Sequence, residues 1–135
     1  MVKTVLYVCP FTDNLNSGVQ RFAAELVNGI RTTHINSHTL FWDKSKSFVI
    51  GYLLFLKKFI SLVHKVELVH FMVLTPYVFP LLMLTKMFRK KSVITYHGIY
   101  TYEVPFGTNP LEYILFFITD KVFRKFSNRI VSSDV

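Results

Sequence analysis

The chain holds a single cysteine, Cys9, so no disulfide can form within its 135 residues. A reduced, cytosolic setting fits that count best. Cys9 ends an apolar run and has no base near it in sequence, so it reads as a core thiol rather than a nucleophile. Glycine numbers only five, and no G-x-G-x-x-G or G-x-x-x-x-G-K-[ST] pattern occurs. The dinucleotide fingerprint and the Walker loop are thereby excluded. There is no HExxH and no Cys/His cluster, which leaves no motif for a metal.

Long uninterrupted apolar runs are missing as well. A membrane span needs about 20 mostly apolar residues. "FVIGYLLFLKKFISLV" is broken by Lys57 and Lys58, and "LVHFMVLTPYVFPLLMLTKMF" holds His70, Pro76 and Pro80. "LEYILFFITDKVF" is stopped by Asp120 and Lys121. The opening "MVKTVLYVCPF" has too short and too β-branched a run for a signal peptide, and no small-residue cleavage site follows.

Acidic residues are also in deficit: eight, against 16 lysines and arginines, for a formal charge of +8. The chain is nevertheless 51% hydrophobic and 16% aromatic, with a mean hydropathy of +0.36. That exceeds an ordinary soluble domain. Such a balance suits an anionic partner: nucleic acid, a phosphorylated substrate or an anionic membrane surface. Nucleic acid has no motif in its favour, because the basic residues are scattered rather than striped.

Periodicity gives an alternating series. "VKTVLYVC" reads as a strand. From Gly18, the residues Val19, Phe22, Ala23, Leu26, Val27 and Ile30 recur at helical spacing. "NSHTLFW" is a second strand, residues 48–63 a second helix with Lys57 and Lys58 on its polar side, and "VELVHF" a third strand. A helix follows Pro76 and ends near Phe88, with Pro80 implying a late start or a kink. "RKK" is a basic turn before the fourth strand "SVITY". Asn109 caps a last helix that Pro110 opens and that runs to about Phe126, and "NRIVSS" is the fifth strand. Strands alternating with helices predict one α/β domain: an open, parallel, Rossmann-like sheet of about five strands, in the order 3-2-1-4-5, with helices on both faces.

In such a sheet, ligands bind at the carboxyl ends of the strands, where the winding reverses. In that order the first and fourth strands flank the reversal, so two loops matter, residues 10–18 and 97–109. Ser17 and Gly18 sit where the first loop meets a helix. Free backbone N–H groups and a positive dipole end would stabilise an anion there, although an ordinary N-cap turn accounts for them equally. Arg21, one turn on, reaches toward the same anion or forms a solvent-facing ion pair. His97 follows the fourth strand directly. It suits a hydrogen bond to a sugar hydroxyl, a base or a phosphate contact, and Gly98 permits a tight exit from the strand. His70 ends the third strand and borders the cleft, whereas His64 belongs on a helix surface. Tyr100 and Tyr102 offer rings for stacking or loop packing, and Glu103 is a weaker candidate base.

Four short stretches together resemble the N-terminal domain of the GT-B glycosyltransferases of family 4. "SGVQR", residues 17–21, is similar to the family's "GGVxR" turn, and "VELVH", 66–70, to its "DVVH" strand. "KSVITYHG", 91–98, resembles its "PVVVTYHG", and "SNRIVSS", 127–133, its "ADRIIAVS". The four matches keep the family's order across essentially the whole chain. The resemblance implies half of a GT-B fold, with residues 1–135 as a C-terminally truncated, acceptor-side domain. It further implies a retaining, metal-independent transfer of a sugar from a nucleotide-sugar donor to an acceptor, with no cofactor.

By the same resemblance His97 is the catalytic position and Gly18 approaches the donor's phosphates; Ser17, Arg21, His70 and Gly98, read from their places at the helix start and the strand ends, complete the substrate-binding candidates. Ser17 departs from the family's glycine, and its side chain would crowd a phosphate. The donor-binding domain with its E-x7-E carboxylates is not in this sequence, so a complementary domain or subunit is implied. Lipid-linked, membrane-surface or polysaccharide acceptors suit the basic, apolar helices, with a cytoplasmic protein peripheral to the membrane's inner face. The alternative is a non-catalytic remnant of the same fold that binds a membrane surface or a protein partner.

Overall fold

The computed structural model describes residues 4–9, 18–31, 35–42, 46–96 and 109–132, with the side chains at 18–20, 23, 27, 30, 31, 96, 112 and 129–132 outside that description. The elements are β1 (Thr4–Cys9), α1 (Gly18–Arg31), β2 (Asn36–Phe41), α2 (Phe48–Val63), β3 (Leu68–Phe71), a 3-10 turn (Pro76–Val78), α3 (Phe79–Met87), β4 (Lys91–Tyr96), α4 (Pro110–Phe126) and β5 (Arg129–Ser132). Every strand pairing is parallel.

The five strands lie in the order β2-β1-β3-β4-β5. The expected order 3-2-1-4-5 is therefore wrong. β3 does not extend the sheet beyond β2; it pairs on the other side of β1, with Val5 opposite Leu68 and Val8 opposite Phe71. The reason is burial. β2 alternates, with Asn36 and His38 exposed, as a polar edge strand does, and such an edge resists further pairing. The apolar β1 and β3 have to be covered on both faces and so take the interior of the sheet.

This order decides where the helices go. Parallel crossovers are right-handed, so the direction of travel across the sheet fixes the face that each helix covers. Only β1 to β2 runs one way, and its helix α1 covers one face. The remaining crossovers run the other way and put α2, α3 and α4 together on the second face.

The core divides accordingly. On the three-helix side, Leu6, Val8, Val69, Phe71 and Ile94 of the strands pack with Phe55, Phe59 and Val63 of α2, Leu81 and Leu82 of α3 and Phe123 of α4. On the other side a smaller cluster joins Val5, Tyr7 and Cys9 to Met72 and Val73, with Leu26 of α1 against them. Phe22, expected on the buried face of α1, is 37% exposed.

Helix ends follow the local chemistry. Pro76 opens a 3-10 turn and the α-helix starts only at Phe79, the late start that two nearby prolines impose. α3 closes in a Schellman arrangement: Arg89 N–H donates to Lys86 C=O at 2.9 Å and Lys90 N–H to Thr85 C=O at 3.0 Å. Arg89 takes a φ of 54° there, a conformation usually left to glycine. At α4 the Asn109 side chain accepts from Leu111 N–H at 3.2 Å, a true N-cap. Asn128 Oδ1 accepts from Ser92 N–H at 2.9 Å and from Lys86 Nζ at 2.8 Å, tying β5, β4 and α3 together. Among the described residues no helix is long and apolar enough to cross a membrane.

Candidate functional site

With β1 and β3 adjacent, the winding reverses between them. Their following connections leave to opposite faces, and in sheets wound this way ligands bind outside the carboxyl ends of the two strands that flank the reversal. The reversal is thus flanked by β1 and β3, not by β1 and β4 as the expected order had it. β4 lies one strand further out. His97 follows β4 in sequence, but His97, Gly98, Ser17, Tyr100, Tyr102 and Glu103 all lie outside the described residues. Gly18 is the first residue of α1, and Arg21, one turn on, is exposed.

Of the sequence candidates, His70 stands on β3, one of the two strands that flank the reversal. It stands opposite Tyr7 in the β1–β3 register, and their ring centres are 5.4 Å apart. Its Nε2 lies 2.7 Å from Thr95 Oγ1 on β4. The threonine hydroxyl both donates and accepts. The pair therefore persists whether Nε2 carries a proton or not, and the imidazole can take up or give up a proton without losing its anchor.

Thr95 is 1% exposed and Tyr7 4%, whereas the His70 imidazole of the same row is only half-buried. Burial raises the Tyr7 phenol above its ordinary pKa and keeps it neutral, a hydrogen-bonding group rather than a base. Burial also pushes the Cys9 thiol up to about 12, which leaves it inert as a nucleophile.

Beyond His70 the chain stays apolar and buried through Met72, Val73 and Leu74, and Met72 N–H still pairs with Val8 C=O at 3.0 Å. Thr75 then turns into the 3-10 segment. Its Oγ1 is buried and makes no hydrogen bond among the described residues, and it does not cap the turn. It is a second polar atom beyond the carboxyl end of β3.

No protein-family model matches the chain, and no curated protein matches it either. The site therefore stands on its geometry. Among the described residues no three His, Cys, Asp or Glu side chains gather as a metal-holding group. His64, placed on a helix surface by its sequence position, is exposed at the end of α2, its ring 4.2 Å from that of Phe88.

Tyr7, Thr95 and Thr75 were not among the sequence candidates. Tyr7 and Thr95 meet His70 only through the pairing of β1, β3 and β4, which no local pattern reveals. An aromatic nest on the other face was missed too. Trp42, just past β2, has Phe48, Tyr52, Phe55 and Tyr77 at ring distances of 5.3–5.6 Å. Tyr52 O–H donates to Tyr77 C=O at 2.9 Å and locks α2 to the 3-10 turn. The five aromatics were a legible signal as apolar content, but their convergence required the fold.

Proposed function

We propose that this chain is the acceptor-side domain of a family 4-like, retaining glycosyltransferase that moves a sugar from a nucleotide-sugar to an acceptor. One observation carries the reading. Three of the four stretches that resemble the family's motifs reach or leave the carboxyl edge of a parallel sheet. His70 is the last residue but one of β3, β4 runs up to Tyr96 immediately before His97, and α1 opens at Gly18 after β1. In such sheets that edge is where ligands bind. An imidazole anchored to a buried threonine suits hydrogen bonding to sugar hydroxyls, and a helix start suits a phosphate. Donor binding and leaving-group stabilisation then fall to a second domain or subunit facing this edge.

The test is a radiolabelled sugar-transfer assay with a panel of nucleotide-sugars, run on this chain alone and together with any polypeptide encoded beside it. The expected result is transfer that falls about tenfold or more in His97→Ala, the loss of one strong hydrogen bond at the transferred sugar. Circular dichroism should show the fold kept. If His97→Ala and His70→Ala both retain full turnover, the proposal is wrong.

A further inference from the structure

The outer surface of the three-helix layer is apolar where a solvent-facing helix ordinarily carries charge. On α4, Leu111, Ile114, Leu115 and Ile118 are 45–64% exposed and follow one another at helical spacing. Ile114 and Ile118 point away from Phe123, which faces the core, and Leu111 and Leu115 flank them on the side of the half-turn that leads to buried Thr119. Lys121 and Lys125 continue the stripe, and the Lys121 ammonium sits 4.5 Å from the centre of the Phe117 ring. α2 repeats the pattern: Val49, Ile50 and Leu53 are 56–64% exposed, and Lys57 and Lys58 follow. On α3, Met87 is 75% exposed.

Among the described side chains of α2, α3 and α4 no carboxylate is exposed. α2 and α3 contain none. On α4, Asp120 is 8% exposed and held by Arg124 at 3.0 Å, while the Glu112 side chain lies outside the described residues.

We propose that this face docks onto an anionic lipid bilayer surface, with the apolar residues entering the headgroup–acyl boundary and the lysines reaching lipid phosphates. Exposed apolar side chains next to lysines that make no ion pair among the described residues suit an interface helix, whose long cationic stems lie along the apolar layer. A protein partner fits less well, because lysine is depleted in protein interfaces. A second copy would bury lysines of one sign with no described carboxylate to meet them.

The charge gradient also sets an orientation. α2 and α4 both start at the carboxyl edge of the sheet, and their apolar residues lie in their first turns. That edge therefore tips toward the bilayer, and the candidate site comes close to whatever is anchored there. The inference does not depend on the sugar-transfer reading.

Buried Cys9 makes a clean experiment possible, since an introduced surface thiol is labelled alone. An environment-sensitive nitrobenzoxadiazole label is placed in Leu115→Cys, in Ile60→Cys, further along α2, and in Glu25→Cys on α1. Each labelled chain is mixed with phosphatidylcholine vesicles with and without phosphatidylglycerol. The label at 115 should shift to the blue with phosphatidylglycerol vesicles, the label at 60 less, and the label at 25 not at all. Lys121→Gln combined with Lys125→Gln should weaken binding about 25-fold, near fivefold per lysine, and make it less sensitive to salt, with Lys57 and Lys58 carrying what remains. Ile114→Glu should prevent binding while leaving Trp42 emission and circular dichroism unchanged. A label at 115 that ignores anionic vesicles overturns the proposal. So does one that shifts without vesicles as protein concentration rises, which would mean a second copy covers the face.

Discussion

The two faces of the sheet differ in what they ask of the sequence. The three-helix face is sealed by large apolar side chains, and its strand residues Leu6, Val8, Val69, Phe71 and Ile94 carry no polar atom beyond the backbone. The α1 face carries Tyr7, Cys9, His70 and Thr95 on the same strands. One chain thus uses the alternation of its strands to separate stability from chemistry. Packing can be optimised on one side without disturbing the titratable groups on the other, because neighbouring strand residues point to opposite faces.

That division is open to breaking. The largest effect belongs to the sealed face: Phe59→Ala, at a fully buried position, should cost about 3–5 kcal/mol by urea denaturation. On a total near 5–15 kcal/mol this brings the domain close to unfolding. Leu26→Ala, half-buried under α1, should cost well under half as much. Equal losses would mean that the faces share the load.

A second measurement follows from Cys9. Its folded pKa is raised, so the unfolded chain loses the thiol proton first as pH rises. Stability should be flat below about pH 8.5 and then fall by up to about 1.4 kcal/mol per pH unit toward pH 12. The raised phenols of Tyr7 and Tyr52 push the same way at higher pH, and the lowered Lys86 pushes against them. Urea midpoints between about pH 8.5 and 10 should fall for the wild type and stay nearly level for Cys9→Ala.

Smaller still is the polar row. Thr95→Val should lower stability by about 1 kcal/mol and shift the His70 Nε2 resonance in nitrogen NMR. An unmoved resonance would show that the pair does not form in solution. The smallest effect is a gain: Arg89→Gly relieves a left-handed residue at the end of α3 and should add about 1 kcal/mol.

The sequence carried the elements more fully than their arrangement. Apolar runs marked the strands, 3.6-residue spacing marked α1, and Asn109–Pro110 announced α4 with its cap. The side of β1 on which β3 pairs was misread, because pairing is non-local; the exposed polar Asn36 and His38 of β2 were the available hint that β2 is an edge. His70 was legible as the end of a strand. Its partners were not, since Tyr7 and Thr95 are distant in sequence and meet only after two pairings.

The crossover of α2 has a consequence for biosynthesis. β1 leaves the ribosome before both of its sheet neighbours, β2 and a strand that ends at Phe71. Until Phe71 has emerged, the apolar β1 offers a bare hydrogen-bonding flank, the kind of surface that chaperones guard and aggregates recruit. Any premature stop before β3 therefore yields a sticky fragment rather than a smaller domain.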